Sequence, residues 1–301
     1  MREASTAAGP QSHPGRAAFW MIGAIVSFSA MAVAGRKVSV DLDTFEVMTY
    51  RSAVSLLLVL LIGGAAGTLG QIRRHRLATH GVRNLAHFTG QNLWFYAITV
   101  IPLAQVFALE FTSPLWVLLF AALFLGERPT PVKGLAGLAG FIGILIVVQP
   151  GSAPLSPGMI AAAMAAICFA VTAIFTKSLT RTETITCILA YLAAMQLVFG
   201  LVACLIDGDM ALPGLPIAPW VVLIGVAGLT AHFCMTKALS IAPASIVMPM
   251  DFIRLPAIAL VGMALYAEPL DWAVIAGAAL IFVANYVNIL AETRRPPSQV
   301  K

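Results

Sequence analysis

Apolar residues fall in ten long blocks separated by short polar turns: roughly 17–35, 45–65, 83–100, 104–126, 132–149, 157–177, 184–206, 217–238, 243–266 and 271–291. A helix rises about 1.5 Å per residue, so about 20 apolar residues cross the hydrocarbon core of a bilayer. Polar and apolar residues do not alternate over strand-length segments, which excludes a transmembrane barrel. The pattern predicts an all-α polytopic membrane protein with ten transmembrane helices. The turn-rich run at 150–157 (Pro-Gly-Ser-Ala-Pro-Leu-Ser-Pro) marks a junction. It divides the chain into a tail at 1–16, a five-span half at 17–150, a second at 157–291 and a tail at 292–301.

The two halves repeat one pattern. A single offset carries Pro102 to Pro243, Val106 to Val247, Glu110 to Asp251, Phe111 to Phe252 and Glu127 to Glu268. Upstream, Thr89 meets Thr230 and Ala97 meets Ala238. Five spans is an odd number, so the second half runs inverted to the first. Inverted repeats place a substrate path between the halves, near the midplane.

Composition agrees. The chain is 60% hydrophobic and 10% charged, against roughly 25% charged in soluble domains. The net charge of +5 reports topology rather than nucleic-acid binding. Arg73, Arg74, Arg76 and Arg83, Arg128 and Lys133, Lys177 and Arg181, and Arg294 and Arg295 gather on one side. Arg36 and Lys37 stand on the other, beside Asp41 and Asp43. Positive residues favour the cytoplasm, which puts both termini there. Cys168, Cys187, Cys204 and Cys234 lie in apolar spans without a CxxC pair and read as small buried hydrophobes. Glycines at 134, 137, 140 and 143, with Gly277 in the tenth span, read as helix packing or a dimer seam. The chain is therefore a monomer or a homodimer.

An acid inside a span is expensive and marks a functional site by default. Glu110 has no cation within a turn, which suits proton coupling or a substrate cation. Asp251 pairs readily with Arg254 at i+3, or serves the site. Arg254 and Arg51 each suit a substrate carboxylate or phosphate, because a guanidinium binds such groups bidentately. Arg51 could instead pair with Glu46 or Glu110. In the third span Gln91 and Trp94 share one face, and His232 stands in the eighth. These suit a flat or zwitterionic metabolite, although Trp94 could equally belong to an interfacial belt. Pro114 and Pro256 fall near mid-helix and predict kinks. The histidines form no HxxxH box, so no metal is expected, and no cofactor is implied. Walker A and Ser/His signatures are also missing, which argues against an ATPase or an embedded enzyme.

The ten spans, the repeat and the run Leu123-Phe124-Leu125-Gly126-Glu127 after Pro114 resemble the drug/metabolite transporter superfamily, specifically its EamA-domain members. The second copy, Ala264-Leu265-Tyr266-Ala267-Glu268, keeps the acid and loses the glycine. The resemblance implies an alternating-access carrier of a small metabolite in a bacterial inner membrane, often an exporter. Described substrates include amino acids, riboflavin and S-adenosylmethionine. It puts Glu110, Gln91, Trp94, His232, Asp251 and Arg254 on cavity-lining helices. Glu127 and Glu268 become structural helix ends, and Arg51 stays uncertain.

Overall fold

A computed structural model describes residues 14–124, 131–149, 155–242, 247, 250–251, 253–269 and 271–293. Glu127, Pro243, Phe252, most of both terminal tails and most of the junction between the halves lie outside the described residues. The chain is helical throughout the described residues, with a short 3₁₀ turn at Leu69–Gln71. The helices are α1 (Pro14–Val38), α2 (Thr44–Ala65), α3 (Leu77–Val100), α4 (Leu103–Glu110), α5 (Ser113–Phe124) and α6 (Pro131–Val148). The second half supplies α7 (Pro157–Leu179), α8 (Ile185–Asp207), α9 (Ala218–Ile241), α10 (Arg254–Tyr266) and α11 (Trp272–Thr293).

Helix starts follow local chemistry. Asp43 caps α2 in a reciprocal box: it accepts from the Glu46 amide at 2.8 Å, and its own amide donates to Glu46 Oε2 at 2.9 Å. Glu46 also accepts from the Ala211 amide, so it is occupied and does not pair with Arg51. Ser156 caps α7 with Pro157 next, and Thr184 caps α8. Gly208, at φ 79°, ends α8 in a left-handed turn.

The fourth span is not one helix. It breaks at Phe111 and Thr112 into α4 and α5, and Pro114 stands in the first turn of α5. A proline cannot donate to the carbonyl four residues back, which here is Glu110. The Ser113 hydroxyl supplies that bond at 2.6 Å, and Thr112 donates to Leu109 O at 2.7 Å. Proline in the first turn costs little, because that amide has no helical partner. The ninth span also breaks, at Ile253, just before α10, and Pro256 lies in the first turn of that helix.

Packing follows the inverted repeat. Extensive contacts join α1 to α9 and α3 to α7, which are images of one another under exchange of the halves. The pairs α2–α8, α6–α11 and α4–α10 map onto themselves. A pseudo-twofold axis therefore passes between the halves. Outward faces carry Leu57, Leu61, Leu138, Phe141 and Leu205, all exposed, as lipid-facing surfaces require. The glycines of α6 divide. A Cβ on Gly143 would lie 2.8 Å from Gly277 O, and one on Gly277 would lie 2.6 Å from Gly143 O. The two helices thus touch backbone to backbone. Gly134 and Gly137 face open space among the described residues.

Gly277→Leu should lower the melting temperature of the purified protein, because overpacking costs about 1–3 kcal/mol. Gly134→Leu should leave it unchanged. Equal effects in a thermal unfolding assay would contradict the intramolecular packing of this stripe.

Candidate functional site

The two breaks bring three charged residues together. Glu110 is the last residue of α4, Asp251 precedes the turn at Ile253, and Arg254 opens α10. Arg254 Nη2 donates to Glu110 Oε1 and to Asp251 Oδ2, both at 2.8 Å. Trp94 Nε1 donates to Glu110 Oε2 at 2.8 Å. Arg254 is buried, and its guanidinium lies over the rings of Phe28, Phe107 and Phe111 at 4.8, 4.9 and 5.2 Å. Aromatic faces attract a cation and exclude water. The equivalent acids of the two repeats thus share one guanidinium, at the pseudo-twofold axis. Two carboxyl groups share one cation, so ionising both would leave one negative charge over.

A cavity of about 160 Å³ opens beside this trio, between the halves. Gln91, Trp94, Glu110, Pro114, His232, Asp251 and Arg254 all line it. Trp94 is 2% exposed and packs on Phe95 and Phe107, so it belongs to the interior and not to an interfacial belt. Pro256 is not among the lining residues, and Arg51 is not either. Arg51 is buried in an adjoining smaller pocket with Ser52, Ser55 and Gln196, where His232 forms the shared wall. Its Nη1 donates to Met48 Sδ at 3.3 Å, and it has no carboxylate partner among the described residues. The rotation of α2 turns Arg51 toward α8 and α9.

Two cavity residues carried a different reading or none. Arg83 counted as a loop charge, but α3 begins at Leu77 and buries it at 1% exposure. Its Nε donates to Thr176 Oγ1 and its Nη1 to Asn84 Oδ1, both at 3.0 Å. Among the described residues no carboxylate neutralises it. His87 stands edge-on to His232 with ring centroids 4.8 Å apart. The i+4 spacing of Arg83, His87 and Gln91 on one helical face was the signal that could have found both.

The cavity has two ends. One holds Trp94 and Glu110, and the other reaches Arg83, Thr176 and Leu239 near the ends of α3, α7 and α9. Beyond Trp94 the bundle is stapled. Arg36 pairs with Glu268, donates to Ile101 O at 2.6 Å and lies 4.8 Å from the Tyr266 ring. Glu268 also accepts from the Leu103 amide at 2.9 Å, capping α4 with a negative charge. Glu268 therefore has a structural role across four elements.

Comparison with known proteins adds identity to this geometry. The pattern of the EamA-like transporter family matches residues 15–149 and 156–290, once in each half. A riboflavin transporter of Brucella anthropi is 32% identical, over 88% of this chain and 95% of that one. An S-adenosylmethionine uptake transporter of Rickettsia bellii is 26% identical over 91% and 94%. The pseudopaline exporter CntI of Pseudomonas aeruginosa is 32% identical over 86% and 90%. A solved crystal structure, 19% identical, superposes with a TM-score of 0.67 over 93% of this chain and 98% of that one, a likeness of fold. The chain belongs to the EamA-like transporter family: it is an integral membrane transporter of a small metabolite, built as two inverted five-helix repeats.

Arg254→Ala strands two buried carboxylates and should cost about 3–5 kcal/mol of stability. Adding Glu110→Gln and Asp251→Asn should recover most of the loss in thermal unfolding. A triple variant no more stable than Arg254→Ala would contradict the shared-cation arrangement.

Proposed function

We propose that this member of the family is a secondary carrier working by alternating access, coupled to protons or to exchange. Its substrate is a small amino-acid-like, aromatic or otherwise zwitterionic metabolite. One observation carries the reading. The cavity between the halves holds an unneutralised cation, Arg83, toward one end and a surplus carboxylate in the Glu110–Arg254–Asp251 trio toward the other. Aromatic and imidazole groups, Phe28, Phe169, His87 and His232, wall the space between. A zwitterion with a flat portion complements that distribution: its anionic group meets Arg83, its cationic group meets the trio, and its plane lies on the rings.

The surplus charge also supports proton coupling. A carboxylate without a counter-charge in a low-dielectric interior is costly, and a proton or a cationic substrate relieves it. Glu110 lines the cavity and contacts both Trp94 and Arg254. Carriers named for riboflavin and S-adenosylmethionine among the relatives favour a second reading, uptake of a vitamin- or nucleoside-type metabolite through the same cavity. The bacterial relatives and the distribution of Lys and Arg support an inner-membrane location with both termini cytoplasmic.

Reconstituted flux tests the reading. Transport should depend on pH in the wild type, and Glu110→Gln should remove that dependence. Arg83→Ala should raise KM at least tenfold with folding intact. Unchanged pH dependence would eliminate Glu110 as the proton site, and an unchanged KM would eliminate Arg83 as the anchor. Arg74→Cys should react with an impermeant thiol reagent only from the cytoplasmic side.

A further inference from the structure

We propose that His80, Glu183 and Cys187 form a metal site at the face where α3 and α8 begin, taking zinc or a similar borderline-soft divalent ion. This goes beyond the transport reading and does not depend on it.

Three elements converge there. His80 lies in the first turn of α3, Glu183 in the turn after α7, and Cys187 in the first turn of α8. The ligand atoms of all three lie within 4.8 Å of one another. Tetrahedral zinc, with bonds of 2.0–2.3 Å, wants ligand separations of roughly 3.3–3.8 Å. Small side-chain rotations close that gap. Sequence reading missed the set because its members come from opposite repeats and form no linear motif.

Each member has unmet bonding capacity. His80 is 0% exposed, and neither ring nitrogen has a hydrogen-bond partner among the described residues. A neutral imidazole carries one donor and one acceptor, so both are orphaned. Glu183 Oε1 is buried without a hydrogen-bond partner, and its nearest cation-forming group is His75 Nδ1 at 3.5 Å. Cys187 is also 0% exposed; its Sγ lies 3.8 Å from Arg73 O and interacts with the Glu183 carboxyl group. One divalent ion satisfies all three at once.

The surroundings suit the ion. The Tyr191 ring lies 4.4 Å from that of His80 and fixes its plane. The neighbouring guanidiniums donate to oxygen acceptors, Arg76 to Ser178 and Arg83 to Thr176 and Asn84, and both lie close enough to act on His80. On binding, the Cys187 thiol loses its proton to solvent as the metal–sulfur bond forms. Thiolate, carboxylate and a divalent ion then sum to zero charge, which favours a buried site. His75, whose side chain is 71% exposed, stands at the solvent side beside Glu183. The ion joins α3 of one repeat to the α7–α8 turn of the other.

The test uses the purified full chain in detergent, titrated with Co²⁺. Wild type should show a thiolate-to-cobalt charge-transfer absorption that saturates at one equivalent. Zn²⁺ should displace it and raise the melting temperature. Cys187→Ser should abolish the band, whereas Cys168→Ser, Cys204→Ser and Cys234→Ser should keep it. His80→Ala and Glu183→Gln should retain a band but weaken Co²⁺ binding by about tenfold or more. No band in the wild type, or a band that survives Cys187→Ser, would overturn the proposal. If Cys187→Ser does not fold, unchanged Co²⁺ affinity in Glu183→Gln would overturn it instead.

Discussion

Arg254 is shared by two acids from opposite repeats, and the local helix dipoles oppose all of it. Glu110 ends α4, where the macrodipole is negative, and Arg254 begins α10, where it is positive. Neither charge is stabilised by its own helix. Glu110 is held by Arg254 and Trp94, and Arg254 by Glu110, Asp251 and three aromatic rings. Such a cluster is a poor way to gain stability, because desolvating three charged groups costs several kcal/mol each. It makes sense as a joint: the breaks in two spans, their prolines and the pseudo-twofold axis all meet there.

The remaining architecture follows from that joint. Breaking the fourth span frees backbone carbonyls, which Ser113 and Thr112 satisfy. It also opens room for the cavity, whose other walls come from α1, α3, α7 and α9. On the far side of the trio, Arg36 and Glu268 tie α1, α3, α4 and the end of α10 together.

Much of this was legible in the residues. Ten apolar blocks gave the spans, and Glu110 answering Asp251 at a fixed offset gave the repeat and the site's centre. Pattern could not supply rotation about helix axes. Arg51 and Arg83 are both buried arginines near helix ends, yet α2 turns Arg51 away from the main cavity while α3 turns Arg83 into it. The start of α3 was misplaced because Leu77–Arg83 is polar enough to read as a loop, although it is helical and partly buried. The fourth span read as one kinked helix. A missing amide at Pro114 predicts a kink, but a full break needs the hydroxyls of Thr112 and Ser113 to take over the freed carbonyls.

In the proposed function a metabolite binds between the repeats with its anionic group on Arg83. Thermal shift of the purified protein against a panel of amino acids, nucleosides, flavins and S-adenosylmethionine tests it most directly. Ligand binding to the folded state raises the melting temperature by mass action. The account predicts a stabilising metabolite whose effect is lost in Arg83→Ala and retained in a variant outside the cavity, such as Gly134→Leu. A stabilising metabolite whose effect survives Arg83→Ala would contradict it.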